Sequence, residues 1–182
     1  MKGFYRDNQL FSLCGLKCGL CPMYLNKYCP GCGGGDGNQS CKIAKCSLEH
    51  NGVEYCFQCN EYPCEKYKHI DDCDSFITHR SQKADLKKAK EIGIEAFNAE
   101  QIEKIELLNF LLVNYNDGRK KNFFCVAVNL LELQEIKGIL MQIENNSELE
   151  KFTFKEQCSF VASLFQSVAK QKNIELKLRK KK

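Results

Sequence analysis

The chain has 182 residues, 43% of them hydrophobic and 27% charged, with a formal net charge of +4. This is the profile of a soluble globular protein of one domain, or of one domain with a small appendage. It excludes a Pro-rich linker, and no apolar run reaches the roughly 18 to 20 residues of a membrane-spanning helix.

At the N-terminus, Arg6, Asp7 and Asn8 stand where a signal peptide carries its apolar stretch, so a cytoplasmic location is expected. Thirteen cysteines in a reducing compartment do not make a disulfide framework; such density points to metal. Ten of the thirteen lie between Cys14 and Cys64, a stretch with few large apolar side chains. A segment that short and that thin in core buries only a few kcal/mol worth of apolar surface. A structural zinc site contributes roughly 10 to 16 kcal/mol of apparent binding energy, which counts as folding energy when the unfolded chain holds no site.

In chain order, Pro22 after Cys21 suits the first position of a short helical turn, PMYLNKY, that delivers Cys29. GGGDG at 33–37 lacks the Lys-Ser/Thr ending of a phosphate-binding loop and reads as a spacer. CKIAKC at 41–46 puts two thiols five positions apart, on neighbouring faces if helical. NGVEYCFQC reads as a turn, a short extended piece and a CxxC knuckle, and YPCEKYKHI as the start of a helix. The composition shifts near residue 75, and long helical patterns follow. Leu86, Ala89, Ile92 and Ala96 stripe a helix over 84–97. Ile102, Ile105, Leu108, Leu112 and Tyr115 stripe a second over 100–115, widened by Leu107, Phe110 and Leu111 into a core helix. NDG ends it, and 122–144 predicts a buried helix broken near Glu132. Thr153 and Glu156 form a capping box that opens a helix with Cys158, Val161, Phe165 and Val168 on one face. IELKL alternates like a strand, and a basic tail follows. The expected fold is mainly α: a cysteine-rich, metal-stabilised module over 1–74, packed on a helical bundle over 75–182 that carries a short C-terminal strand and the tail.

Cys14, Cys18, Cys21, Cys29, Cys32, Cys41, Cys46, Cys56, Cys59 and Cys64 are the candidate metal ligands. Three CxxC knuckles in one short segment are a strong signal, because two thiolates so spaced chelate one ion at about 2.3 Å. Ten ligands exceed two closed tetrahedral sites by two, and spacing does not say which knuckles pair. Zinc, as two or more ions, is the expected cofactor; an iron–sulfur cluster is the alternative, since both suit soft thiolates. Cys14-x3-Cys18-x2-Cys21 also has the spacing of a radical-SAM triad, but no alternation of strands and helices supplies the barrel such an enzyme needs.

CGLKC-x2-CP-x-Y, C-x2-C, C-x-I-x2-C and GVEYCFQCNEYPCEK together resemble the cysteine-rich domain-of-unknown-function family 3795, from Cys14 to about Lys66. The ten cysteines match that pattern position by position, and NYNDGRKKNFFCVAVNLL at 114–131 is similar to the helical continuation of some members. The resemblance implies a zinc-binding protein of prokaryotic type and assigns no activity. Ala44 stands where an arginine is commoner, and a C-terminal zinc ribbon found in some relatives is missing.

The other candidates read more plainly. Cys125 and Cys158 sit in apolar helical patterns, where a thiol packs as a small hydrophobe. Cys73, in DDCD, has carboxylate neighbours that oppose thiolate formation. His50, His69 and His79 qualify as ligands by type alone. Residues 1–74 hold eight Lys plus Arg against nine Asp plus Glu, and residues 75–182 nineteen against fourteen. A negative, thiolate-rich first half does not suit a phosphate backbone. A nucleic-acid role through KLRKKK at 177–182 is therefore not favoured, and the tail reads as a frayed terminus. Arg119, Lys120 and Lys121, with backbone donors beside the Asp-Gly turn, are a candidate site for a small anion. No catalytic constellation emerges. The expected product is a binding or scaffold protein whose partner is another protein or a small anionic ligand.

Overall fold

The computed structural model describes residues 3–35 and 40–180. Among these residues the protein is all-helical, with a cysteine-rich N-terminal region and a helical C-terminal part. Its helices are α1 (Pro22–Leu25), α2 (Lys42–Glu49), α3 (Gln82–Ile92), α4 (Ile94–Asn114), α5 (Lys121–Leu130), α6 (Leu133–Glu144) and α7 (Phe154–Gln171). Asp36 and Gly37 of the glycine spacer, and Lys181 and Lys182 of the tail, lie outside the described residues. None of the helices is long and apolar enough to cross a membrane.

The chain divides into two compact units: residues up to Gln101 together with the C-terminal stretch from Leu178, and Ile102–Lys177. The compositional boundary at 74/75 thus falls inside the first unit, and the structural one falls within α4.

In the second unit, Leu108 and Leu111 of α4, Phe124 and Val128 of α5, Ile136 and Ile139 of α6, and Val161 and Phe165 of α7 are fully buried. Phe124 and Phe165 meet edge to face, 5.6 Å between centroids. Cys125 and Cys158 are buried in this unit as small hydrophobes. The break expected near Glu132 is present: Glu132 caps α6, its N–H donating to Glu135 Oε2 at 2.9 Å. Thr153 opens α7 as expected, its N–H and hydroxyl donating to Glu156 Oε2 at 2.8 and 2.7 Å. The buried face of α4 differs from the expected stripe. Ile102 and Phe110 of that stripe are exposed, as is Val113 beside it, whereas Lys104 is buried and donates to the Leu131 carbonyl at 2.7 Å. A helix apolar on most sides leaves the choice of face to such a specific polar contact.

In the first unit, α3 and α4 are separated at Gly93 rather than near Asn98. Gly93 holds φ +87°, ψ 149°, a backbone conformation that side chains oppose. Ile94–Phe97 therefore belong to α4. Glu65–Tyr67 forms only a 3₁₀ turn where a helix was expected to start. The core gathers Phe11, Tyr55, Tyr67, Leu86, Ala89 and Phe97, with Phe4, Leu13 and Ala44 in a second cluster. The cysteine-rich stretch therefore borrows much of its core from α3, the first turn of α4 and the N-terminal segment Phe4–Leu13.

IELKL is not a strand; no strand is present among the described residues to pair with it. Nor does the tail fray as far as Arg179. The Asp74 N–H donates to the Arg179 carbonyl at 2.9 Å, and the Arg179 N–H donates to Asp74 Oδ2 at 2.7 Å. The Arg179 guanidinium also reaches the Asp71 carbonyl. The Asp74 side chain is fully buried and accepts the His79 N–H at 2.8 Å as well. Burial would push its carboxyl up, but the Arg179 and His79 N–H donors and the Arg179 and Arg80 charges outweigh it and hold the carboxyl below its ordinary value.

Asp74→Ala should lower stability by about 3 kcal/mol, since it strands buried donors and two guanidinium groups. A depressed native value means that this stabilisation is fully present above the unfolded carboxyl value, about pH 4, and is lost as pH falls through the native one. Denaturant unfolding at several pH values should show the gap between wild type and variant constant above about pH 4 and shrinking below it.

Candidate metal centre

Short turns position the thiols. In Cys18-Gly-Leu-Cys21 and Cys56-Phe-Gln-Cys59 the first three residues form a 3₁₀ turn. The N–H of the last cysteine closes each turn on the carbonyl of the first, at 3.0 and 3.1 Å. Cys29 follows α1, and Cys32 follows Gly31, which holds φ +86°. Cys41 precedes α2 and Cys46 lies within it. Five helical positions turn through about 140°, and these two thiols serve different cavities.

The smaller cavity, about 20 Å³, is lined by Cys46, Cys56, Cys59 and Cys64, with His50, Lys66 and Tyr67 also on its wall. The larger, about 200 Å³, is lined by Cys14, Cys18, Cys29, Cys32 and Cys41. Ile43 lines both. Cys21 lines neither, but its charge would be felt by Cys18, and that of Cys29 by Cys21. None of the thirteen cysteines forms a disulfide. Among the described residues, no three His, Cys, Asp or Glu side chains converge on a point that could hold one metal ion. The fold thus supplies rings of soft donors around two cavities rather than formed coordination spheres. The donor type and the number fit zinc, and a cysteine side chain reorients about a single bond, Cα–Cβ, between staggered wells.

Electrostatics makes these rings demanding. Burial pushes the Cys14 thiol up to about 11, with Cys32 and Cys41 adding to the effect. Cys56 is pushed up to about 12, again by burial first, with the neighbouring Tyr67 hydroxyl pulling the other way. Cys18 lies well above its ordinary value through burial and then through Cys32, Cys14, Cys21 and Cys29. Such thiols stay protonated at neutral pH unless a cation draws the proton off, which a divalent metal does outright.

Two side-chain cations stand beside thiols of the rings. Arg6 is buried and lies against Cys32, whose thiol its charge pulls down against the dominant effect of burial. Its Nη1 donates to the Phe11 carbonyl at 2.9 Å, its Nη2 pairs with Glu54 Oε1 at 2.9 Å, and its guanidinium sits 4.9 Å from the Tyr55 ring centroid. Lys66 hydrogen-bonds Cys46 beside the smaller cavity. Other contacts seat the first cysteine loop on α3. The Cys14 carbonyl accepts Gln82 Nε2 at 2.9 Å and the Tyr67 hydroxyl at 3.2 Å. Buried Lys17 pairs with Asp85 at 2.8 Å, and Ser12 Oγ accepts the Leu16 N–H at 2.7 Å. The sequence singles out none of Arg6, Lys17, Tyr67, Gln82 or Asp85. The only local hint is a lysine enclosed by the Cys14–Cys18 pair.

The remaining candidates have hydrogen-bond partners of their own, although His50 Nδ1 also lies 3.6 Å from Cys46 Sγ. His50 Nδ1 donates to the Cys46 carbonyl at 2.9 Å and its Nε2 faces Glu61 at 3.3 Å. His69 pairs with Asp72. His79 Nδ1 donates to the Ile70 carbonyl at 3.0 Å, and its Nε2 meets Ser75 Oγ at 3.0 Å. Cys73 lines neither cavity. At the Asp-Gly turn, the backbone donors invoked for an anion are already used: the Lys120 N–H serves Asn116 Oδ1 and the Arg119 N–H serves Asp117 Oδ1, each at 3.0 Å. Arg119 lines a hollow of about 380 Å³ with Asn116, Asp117, Phe154 and Lys155; Lys120 and Lys121 do not line it.

Residues 10–69 match the family model described as Protein of unknown function (DUF3795). The resemblance therefore holds over the cysteine-rich stretch. All ten clustered cysteines fall within it, whereas Arg6 and the Gln82 and Asp85 supports fall outside. No curated protein and no solved structure matches the chain.

A Cβ on Gly15 would lie 2.5 Å from the Gln82 carbonyl oxygen and 2.7 Å from Leu86 Cγ, and Gly15 holds φ +96°. Gly15→Ala should therefore destabilise the first unit by about 3 kcal/mol, combining strain with overpacking against backbone. Gly35→Ala, at a position where a Cβ meets nothing within 4 Å, should lack that overpacking and cost clearly less. Urea unfolding of both variants checks the contrast.

Proposed function

We propose that this is a cytoplasmic structural-zinc protein of the binding or scaffold type, in which thiolates hold the cysteine-rich unit together. The observation that carries this reading is the cavity of about 20 Å³ ringed by Cys46, Cys56, Cys59 and Cys64. That volume admits about one water-sized body, and four thiolates around one ion are the donor set of a closed structural site. His50 stays outside the donor set because both of its nitrogens are engaged. Zinc supplies, when bound, the positive charge that lets these crowded thiols ionise. Lys66 offsets part of the remaining negative charge, and Tyr67 packs the wall against the core.

The exposed Ile102, Phe110 and Val113 of α4 support a protein partner for the helical part. Arg179, already engaged by Asp71 and Asp74, takes one charge out of the basic tail and leaves a nucleic-acid role unfavoured. The larger thiol-lined cavity favours one second reading, an iron–sulfur cluster protein.

Protein purified anaerobically should be colourless and contain zinc; a brown sample with iron and sulfide would overturn the proposal. Exhaustive chelation under reducing conditions should abolish the near-UV signal of Tyr55 and Tyr67 and unfold the first unit. Acidification should release zinc as protons compete for the sulfurs, with circular dichroism and metal release following one another.

A further inference from the structure

Neither the thiols nor the helical core uses the exposed side of α4. Within the second unit, Ile102, Glu106, Asn109, Phe110 and Val113 are all exposed. With 3.6 residues per turn they fall within about 100° of arc, one continuous stripe along the helix. Val113 is 79% exposed, Ile102 49% and Phe110 43%, so the described residues leave most of the stripe open. Helix α6 borders it, because Lys137 pairs with Glu103, and exposed Met141 stands one turn on from Lys137. We propose that this stripe is the contact surface of a two-fold symmetric dimer, in which α4 packs antiparallel on α4 of a second copy. The proposal rests on the protein-partner reading of the helical part and names that partner.

The stripe is its own complement. A two-fold axis midway between Glu106 and Asn109 sets Ile102 opposite the partner's Val113, each about 8 Å along the helix from the axis at 1.5 Å per residue. The same axis sets Glu106 opposite the partner's Asn109, where the amide donates and the carboxylate accepts. Both pairings occur twice, as an isologous interface requires. The two Phe110 rings flank the axis, and the Glu103–Lys137 pair supplies a charged rim. A parallel pairing would instead set Glu106 on Glu106, two like charges in contact.

Size agrees with a reversible dimer. The stripe offers on the order of 400 Å² on each copy, as large as the biggest apolar patches of ordinary monomers. Paired, the two copies bury on the order of 1,000 Å², the low end of specific interfaces.

Sedimentation equilibrium of the full chain, under reducing conditions and over a micromolar-to-millimolar series, tests the proposal. Wild type should pass from monomer to dimer. Val113→Glu, at an exposed position, should keep the wild-type circular dichroism and weaken the dimer by about tenfold or more, since it buries a carboxylate against the partner's Ile102. Asn109→Glu should weaken it likewise by setting two carboxylates opposite each other, and adding Glu106→Lys should restore it. That rescue is particular to the antiparallel register, because a parallel pairing would match each substitution with itself. A wild type that stays monomeric throughout, a dimer indifferent to Val113→Glu, or a double variant without rescue would overturn the proposal. A monomeric wild type that copurifies with a different protein, lost in Val113→Glu, would overturn the second copy alone. A monomeric wild type without such a protein would overturn the protein-partner reading as well.

Discussion

Thiolate sulfurs repel one another, and burial strips each of the water that would stabilise its charge. Ten of them gathered in one unit can ionise together only if positive charge enters with them. The protein's own side chains supply little of it. Arg6 stands against Cys32 and Lys66 against Cys46, while burial first, and neighbouring thiols after it, push Cys14 and Cys56 far above the ordinary thiol value. Arg6 is moreover shared with Glu54. Divalent ions would remove this frustration. Two of them would leave ten thiolates with six uncompensated charges.

Scarcity of apolar contacts is a weaker reason for metal than residues 14–64 alone suggest. The fold brings Phe4, Phe11 and Leu13 from one side and Leu86, Ala89 and Phe97 from the other to the cysteine stretch. Phe11 packs on Phe97 with centroids 4.5 Å apart and on Tyr55 at 5.5 Å. The unit so formed has a core of its own, and what a metal would add is charge compensation among its thiols as much as cohesion.

Features set by neighbours in sequence were legible. The Thr153–Glu156 box, the break before Glu132 and the proline-led turn at Pro22 each depend on three or four consecutive residues, and each is where local chemistry puts it. Features set by distant partners were not. The inward face of α4 is chosen by Lys104 reaching the Leu131 carbonyl, and Gly93 ends α3 through a conformation that reads from sequence as an ordinary helical glycine. The candidate site shows the same split. Spacing marks the ten cysteines, but which ones share a cavity depends on the turn of α2 between Cys41 and Cys46 and on Ile43 as a common wall. Arg6 and Gln82 meet the cysteine loops only across the folded unit, from outside residues 10–69.

The two cavities are also not independent of the helices beside them. The carbonyl of Cys14 takes donors from Tyr67, on the wall of the smaller cavity, and from Gln82, at the start of α3. Cys14 itself lines the larger cavity, and its charge adds to the upward push on Cys56 of the smaller one. Lys17, inside the same loop, ties to Asp85 one turn further along α3. A shift of the Cys14–Cys18 loop therefore disturbs both cavities and the seat of α3 together. The compact unit accordingly reaches Gln101, well past the point where the cysteines thin out. The helix that looks in sequence like the beginning of a separate bundle is the platform on which the thiol rings are built.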